Sequence, residues 1–192
     1  MEVVTCVVPA GGRSARMSRW KPLLPFGETT IIQTVVQVAL SVCARVIVVT
    51  GYRGAELSAV LEGDPRVTVA ENLDWEMGMF SSLQRGVTYI DTERFFITLG
   101  DKPFIRQDVY TSLLRAGAAD AVFPVFRGER GHPVLLRSAV REAMLAADAN
   151  TSSMPTLLSR FVVKEIQWHD DSVVRDIDTP QQYSAAGGLQ TV

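Results

Sequence analysis

The sequence predicts an α/β protein whose sheet is mostly parallel and is covered by helices on both faces. Short apolar runs, such as residues 3–8 and 45–50, are typical of strands that are buried on both faces. Segments with apolar residues at helical spacing, such as 29–42, alternate with these runs, and this alternation indicates a parallel sheet. The length of 192 residues, with 47% hydrophobic and 21% charged residues, is ordinary for one globular domain.

The predicted elements follow one another in a regular order through the first half of the chain. Strands and helices alternate strictly there: strand 3–8, helix 29–42, strand 45–50, helix 55–61, strand 67–70, helix 79–89, strand 95–99 and helix 109–116. The pattern then loosens into strand 121–126, strand 133–136, helix 138–147, strand 161–166 and helix 179–186. We predict one domain over residues 1–186 and a frayed tail over residues 187–192.

Composition excludes several classes of partner. The net charge is −2 and no basic stripe appears, which argues against a nucleic-acid partner. The first residues lack the basic start and long apolar run that are typical of a signal peptide, and no apolar run approaches the ~20 residues that span a bilayer. A cytoplasmic protein without a membrane segment is the expectation. Cys6 and Cys43 lie in apolar stretches and are predicted to be buried, inert thiols.

The loop after the first strand, residues 10–17 with the sequence AGGRSARM, is a candidate phosphate site. Ligands of open α/β sheets bind beyond the carboxyl ends of the strands. Small residues let backbone N–H groups surround phosphate oxygens, and Arg16 and Lys21 add positive charge for a triphosphate. The alternative is a surface turn with two solvated cations, but the position after a buried strand favours phosphate.

Two carboxylates are candidate ligands of Mg²⁺. Asp101 follows a buried strand, where a hard cation with oxygen ligands would sit, although it could instead cap the helix that follows. Asp176 and Asp178 alternate in an extended segment, so only one of them can face the site. Asp178 by itself would suit a helix cap, but together with Asp101 and a triphosphate loop it is favoured as a second metal ligand.

Two further segments carry candidate binding residues. In residues 71–83, Gly78 is predicted to open a helix, and polar side chains offer hydrogen bonds to a base or ribose from Asn72, Ser81 and Ser82. Packing is the favoured role for the apolar residues between them, Trp75, Met77 and Met79. Residues 127–133 form either a hairpin tip or part of the second-substrate site, since His132 lies unusually between glycine and proline.

These motifs, in this order, resemble the MobA-like nucleotidyltransferases, with the molybdenum cofactor cytidylyltransferases as the nearest branch. The resemblance covers residues 3–183 through five segments: VPAGGRSARM with Lys21, WEMGM with Ser82, LGDKP, GHP and DIDTP. It implies a Rossmann-like three-layer α/β/α fold of the GT-A type. It also implies Mg²⁺-dependent transfer of CMP from CTP to molybdenum-molybdopterin with release of pyrophosphate, and delivery of the product to a molybdenum hydroxylase.

The resemblance also implies a role for each matched residue. Arg16, Lys21 and Asp101 would be catalytic, and Asp101 and Asp178 would hold the metal. The nucleotide would be bound by Ala10, Gly11, Gly12, Arg13, Ser14, Arg16, Lys21, Asn72, Gly78 and Ser82. Arg130 and His132 would contact the second substrate.

Two departures from the family pattern leave alternatives open. The loop reads Ala10-Gly11-Gly12, as in guanylyltransferases, where cytidylyltransferases have Ala-Ala-Gly. The usual Glu-Asp after Thr-Pro is Gln181-Gln182 here. Guanylyl transfer to the same pterin, nucleotidyl transfer to a sugar phosphate, and a non-catalytic molybdenum cofactor chaperone are the alternatives.

Overall fold

The computed structural model of the chain describes residues 2–15, 17 and 19–187. The strands are β1 Thr5–Pro9, β2 Pro25–Phe26, β3 Thr29–Thr30, β4 Arg45–Thr50, β5 Val67–Glu71, β6 Arg94–Ile97, β7 Ala121–Phe126, β8 Glu129–Arg130, β9 Val134–Arg137 and β10 Val163–Gln167. The α-helices are α1 Ile31–Leu40, α2 Gly54–Leu61, α3 Met79–Val87, α4 Gln107–Leu114, α5 Ser138–Ala146, α6 Met154–Leu158 and α7 Pro180–Ala185. Short 3₁₀ turns span Lys21–Leu23, Trp75–Met77 and Asp171–Val173.

The central sheet has the strand order β5-β4-β1-β6-β9-β7-β10, and β8 pairs with β7 beside this path. Every neighbouring pair on the path is parallel except the two pairs that contain β9. The connection from β7 to β9 covers only residues 127–133, too short for the crossover that a parallel pair needs. The predicted mostly parallel sheet is therefore confirmed, and this short connection, which contains the antiparallel strand β8, explains why β9 is reversed.

Helices cover both faces of the sheet, and β1 shows why its sequence is apolar throughout. Cys6 and Val8 point into a core that also contains Ile32 of α1. Val7, between them, points into the opposite core, which contains Leu83 of α3. A strand buried on both faces needs apolar residues at successive positions, not only at alternate ones. Both cysteines are buried and free, as predicted.

The predicted element positions hold to within a few residues, and the structure adds the short strands β2, β3 and β8, the helix α6 and the three 3₁₀ turns. The predicted first helix began at Thr29, but Thr29 and Thr30 instead pair with residues 25–26 as a two-strand ribbon. Thr30 then caps α1 through a capping box with Gln33. The short helix α6 was missed because five residues are too few to show helical periodicity.

Within the described part of the chain, no helix is both long and apolar enough to cross a membrane. The one-domain boundary at residue 186 stays a prediction. Residues 188–192 of the predicted tail lie outside the described residues.

Candidate active site

The carboxyl ends of β1, β4, β5 and β6 lie at one edge of the sheet, because these four strands are parallel neighbours. A cavity of about 330 Å³ opens at this edge. It is lined by Pro9, Ala10, Gly12, Ser14, Ala15, Lys21, Pro22, Met79, Leu99, Gly100, Asp101 and Asp178. Six of these were candidate site residues from the sequence: Ala10, Gly12, Ser14, Lys21, Asp101 and Asp178.

Lys21 lies between the two candidate metal ligands. Its Nζ donates hydrogen bonds to Asp101 Oδ2 at 2.8 Å and to Asp178 Oδ1 at 2.7 Å. Burial by itself lowers the pKa of Lys21, but the adjacent Asp101 and Asp178 carboxylates outweigh it and hold that pKa above its ordinary value. The floor of the cavity is therefore a charged lysine held by two carboxylates from distant parts of the sequence.

Neither carboxylate caps a helix. Thr179 is the N-cap of α7, and the Gln182 side chain completes its capping box. Gln182 Oε1 also accepts a hydrogen bond from the backbone N–H of Asp178 at 2.8 Å. Asp101 lies well before α4, which begins at Gln107. Both residues line the cavity, and the glutamine at position 182 supports the backbone of Asp178.

Backbone hydrogen bonds fix the segment that carries Asp178. The N–H of Ile177 donates to the Asp101 carbonyl at 3.2 Å, which ties the two carboxylate-bearing loops together. The N–H of His132 donates to the Val173 carbonyl at 2.8 Å. Ile177 is fully buried and anchors the segment in a small core beneath the site. Asp178 therefore reaches Asp101 through a scaffold that is independent of Lys21.

Lys102 adds a third tie to the same segment. Its Nζ donates to the Val174 carbonyl at 2.6 Å and lies 3.9 Å from Asp176 Oδ2. Burial raises the pKa of Asp176, and Lys102 opposes that shift. Asp176 and Asp178 pair with different lysines, as expected for alternate residues of an extended segment. Sequence reasoning did not assign a role to Lys102, and its position between Asp101 and Pro103 was the available signal.

The glycine-rich loop is held by backbone hydrogen bonds at its start and by side-chain contacts after Gly11. The backbone N–H of Ala10 donates to the Val49 carbonyl at 2.8 Å, and that of Tyr52 donates to the Gly11 carbonyl at 3.1 Å. The Gly12 carbonyl accepts a hydrogen bond from Trp20 Nε1 at 3.1 Å. Ser14 Oγ accepts one from the backbone N–H of Lys21 at 3.1 Å, and Ser14 has a φ of 54°, in the left-handed region. Gly12 is exposed, whereas Gly11 is buried against the backbone of Thr50 and Gly51. The candidate residue Arg16 lies outside the described residues.

Arg13 connects this loop to the loop between β5 and α3. It forms an ion pair with Glu76. Its guanidinium carbon lies 4.7 Å from the ring centroid of Trp75 and 5.8 Å from that of Tyr52. Such exposed contacts are weak individually, so Arg13 can exchange them for a phosphate at little cost.

The candidate nucleoside residues form a buried polar cluster at the start of α3. Asn72 Nδ2 donates to Ser81 Oγ at 3.0 Å and to Ser82 Oγ at 3.1 Å, and Asn72 Oδ1 accepts from the Asp74 N–H at 3.1 Å. Gly78 is the N-cap of α3, as predicted, with a φ of 102° that favours glycine. The amide of Asn72 is thus engaged in shaping this turn.

Two methionines differ from their predicted packing role. Met77 and Met79 are 43% and 53% exposed, and Met79 lines the cavity. Met77 ends the 3₁₀ turn before α3 and Met79 begins α3, and both side chains are exposed there. Trp75 is partly buried against Tyr52, at 6.0 Å between ring centroids, which agrees with packing.

The two candidate contacts to a second substrate occupy different surroundings. His132 lies behind Asp101, with Nδ1 3.4 Å from the Ile97 carbonyl. Burial, followed by the charge of Lys102, lowers the pKa of His132 to about 4, so its imidazole is neutral at pH 7. Arg130 is exposed on β8, where its Nε donates to Glu165 Oε1 at 2.7 Å.

Comparison with known proteins assigns the chain to a family. The MobA-like NTP transferase domain matches residues 6–166, which contain the glycine-rich loop, Lys21 and Asp101. The chain belongs to this family. It is therefore a nucleotidyltransferase, and the strands and loops described above carry the family's domain.

Individual relatives of this MobA-like protein agree in sequence and in fold. It is 31% identical over 187 residues to the molybdenum cofactor cytidylyltransferase of Escherichia coli (strain K12), covering 97% of this chain and 96% of that one. It is 28% identical to a probable molybdenum cofactor guanylyltransferase of Bacillus mycoides (strain KBAB4), covering 94% of each. A nucleotidyl transferase from Methanothermobacter thermautotroptrophicus has the same fold, with a TM-score of 0.82, 23% identity and coverage of 95% of both chains.

MobA-like nucleotidyltransferases generally use a divalent metal, and the residues present in this member fit one. Asp101 Oδ1 is buried and accepts no hydrogen bond from any residue that the structure describes. The described residues contain no cluster of three or more metal-binding side chains. Two carboxylates suit Mg²⁺, which is commonly bound by one or two carboxylates while substrate phosphates and waters complete its shell.

Proposed function

We propose that this MobA-like protein transfers CMP from CTP to molybdenum-molybdopterin in the presence of Mg²⁺ and releases pyrophosphate. The observation that carries the proposal is the convergence of Lys21, Asp101 and Asp178 at the glycine-rich loop. Identity of 31% to a cytidylyltransferase over nearly the whole chain supports CTP and the pterin acceptor. The enzyme would act in the cytoplasm and pass its product to a molybdenum hydroxylase.

The reaction forms one P–O bond and breaks another. A terminal phosphate oxygen of the pterin attacks the α-phosphorus of CTP, and the bond from the α-phosphorus to the bridging oxygen of the β-phosphate breaks. That bridging oxygen leaves with pyrophosphate and keeps the bonding electrons. The attacking phosphate is already anionic, so no side chain has to remove a proton.

The chain's own residues then have to position two reactants and balance negative charge. Backbone N–H groups of Gly11 and Gly12 would surround the triphosphate, and Lys21 would neutralise part of its charge. Asp101 and Asp178 would hold Mg²⁺, which would supply positive charge at the α-phosphate and at the leaving pyrophosphate. His132, neutral at pH 7, would form a hydrogen bond with the acceptor. Arg130, which is exposed on β8, would be a second contact with the acceptor.

Guanylyl transfer is the second candidate, because Gly11 replaces the alanine that is usual in cytidylyltransferases. A relative named as a probable guanylyltransferase is only slightly less identical, at 28%. The nucleotide is the point at which the two candidates differ, while the metal, the acceptor and the site residues are shared.

Pyrophosphate release with molybdenum-loaded molybdopterin and each of the four nucleoside triphosphates tests the proposal. We expect release with CTP and Mg²⁺, and none when Mg²⁺ is removed by a chelator. Release only with GTP would select the second candidate, and no release with any nucleotide would reject both. Thermal stabilisation gives an independent measure, since a ligand at 100 times its dissociation constant adds about 2.7 kcal/mol to the free energy of unfolding.

A further inference from the structure

The ammonium group of Lys21 occupies the position between the two carboxylates. It donates one hydrogen bond to each, at 2.8 and 2.7 Å, and its side chain is only 13% exposed. Charge-assisted bonds of this kind are roughly twice as strong as bonds between neutral groups. Asp101 Oδ1 has no hydrogen-bond partner among the described residues, but a cation that bridges the two carboxylates would still meet the positive charge of Lys21 between them.

We infer that Lys21 is a built-in counter-ion of the nucleotide-free enzyme, which a divalent cation must displace and which the triphosphate draws away. This inference rests on the proposed function, in that Asp101 and Asp178 hold the catalytic cation. It adds an order of binding to that function. The cation enters together with the nucleoside triphosphate, and the cation alone binds weakly.

Charge balance supports this exchange. If a cation entered by itself, Lys21 would either stay beside a second positive charge or leave its carboxylate partners while it remained largely buried, and both are costly for a charged group. If the cation enters with a triphosphate, the phosphate oxygens replace the carboxylates as partners of Lys21. A lysine suits such an exchange because its ammonium is a compact charge on a flexible four-carbon stem.

Lys102 cannot take over this role. Its Nζ is bound to the Val174 carbonyl and lies nearest Asp176, on the far side of the segment that carries Asp178. The sequence has only one further lysine, Lys164, whose Nζ donates to the Ala116 carbonyl, away from the site. Lys164 therefore provides a matched control for the loss of one lysine charge.

The test is the affinity of the nucleotide-free protein for Mn²⁺, measured by the electron paramagnetic resonance signal of the free ion. We expect Lys21→Met to bind Mn²⁺ about tenfold more tightly than wild type or better, because the competing cation is gone. The same variant should bind a non-hydrolysable CTP analogue more weakly than wild type. Lys164→Met should match wild type in both measurements.

Two further variants separate loss of the Lys21 charge from damage to the fold. Lys21→Gln removes the charge but keeps a hydrogen-bond donor, so it should also tighten Mn²⁺ binding and serves if Lys21→Met does not fold. Adding Asp178→Asn to Lys21→Met should abolish the gain, which places the ion between the carboxylates. A structural defect would weaken both ligands, whereas the inference requires opposite changes for the ion and the nucleotide.

Unchanged or weaker Mn²⁺ binding in both Lys21→Met and Lys21→Gln would overturn the inference. That outcome is separate from a failure of the proposed function, which is judged by pyrophosphate release from the wild-type protein. A wild type that releases pyrophosphate but shows no Mn²⁺ gain in either variant would keep the function and discard the counter-ion.

Discussion

The two sides of the candidate site are built differently. The carboxylate side, meaning Asp101 and the segment 173–178, is fixed by two backbone hydrogen bonds and by buried Lys102. The glycine-rich loop is fixed by backbone hydrogen bonds at Ala10 and Gly11, but the contacts that hold the described residues from Gly12 to Ser14 to the rest of the protein all involve side chains, namely those of Trp20, Arg13 and Ser14. The contrast indicates that the carboxylates are preorganised, whereas the loop can adjust around a triphosphate. Charged groups that are already in position before the substrate binds stabilise a transition state more strongly than groups that must first rearrange.

The carboxylate side should give the largest loss of activity. Asp101→Asn removes a charge from the proposed cation site with little change in side-chain volume. We expect turnover to fall by roughly 10²-fold or more, as for the loss of several kcal/mol of transition-state stabilisation. The measurement is pyrophosphate release at saturating CTP, with circular dichroism as the check that the fold is intact. A rate within tenfold of wild type would refute the assignment of Asp101.

A glycine-to-alanine substitution on each side of the site tests whether the carboxylate side is rigid and the glycine-rich loop is adaptable. A Cβ at Gly131 would lie 2.4 Å from the Val173 carbonyl oxygen, a backbone atom that the carboxylate segment holds in place. We expect Gly131→Ala to lower the free energy of unfolding by about 1–3 kcal/mol. A Cβ at Gly12 would meet nothing within 4 Å. Gly12→Ala should therefore leave the melting temperature unchanged and weaken nucleotide binding instead.

Thermal melting and CTP titration of both glycine variants measure these effects. Equal destabilisation by the two substitutions would contradict the proposed difference between the two sides.

We predict that the free energy of unfolding depends on pH through His132, whose backbone N–H is bonded to the carboxylate segment. The pKa of His132 falls from 6.5 to about 4 on folding, so the unfolded chain binds more protons between these values. The resulting contribution to stability is complete above pH 6.5 and is lost as the pH falls towards 4. We expect the drop in stability from pH 7 to pH 5 to be smaller in His132→Gln by about 1–2 kcal/mol. Urea unfolding at the two pH values measures it, and an identical drop in both proteins would show that His132 does not titrate in this way.

Arg130 should give the smallest effect on stability. Its bond to Glu165 is exposed, and such pairs contribute about 0–1 kcal/mol. We expect Arg130→Ala to melt within about 2 °C of wild type. A raised KM for the pterin at unchanged KM for CTP would support its proposed contact with the second substrate. An unchanged KM for both substrates would show that Arg130 is not part of the site, and His132 would remain the proposed contact with the pterin.

The sequence by itself determined the α/β class, the order of most elements and the segments that meet at the carboxyl edge. Apolar runs such as 3–8 and 45–50 define strands buried on both faces, and parallel strands bring the loops that follow them to one edge. The residues around Lys21, Asp101 and Asp178 were therefore candidates for one site from the sequence alone. The reversal of β9 followed from a short connection that the sequence also contains but that periodicity does not reveal.

Only the tertiary structure decided which side chains meet. It showed that Lys21 bridges Asp101 and Asp178, that Asn72 is engaged by Ser81 and Ser82, and that Lys102 supports the carboxylate segment. These pairings join residues up to 157 positions apart. The physical reason is that hydrogen bonds of this kind depend on distances within about 3.5 Å, which packing sets and local sequence does not encode.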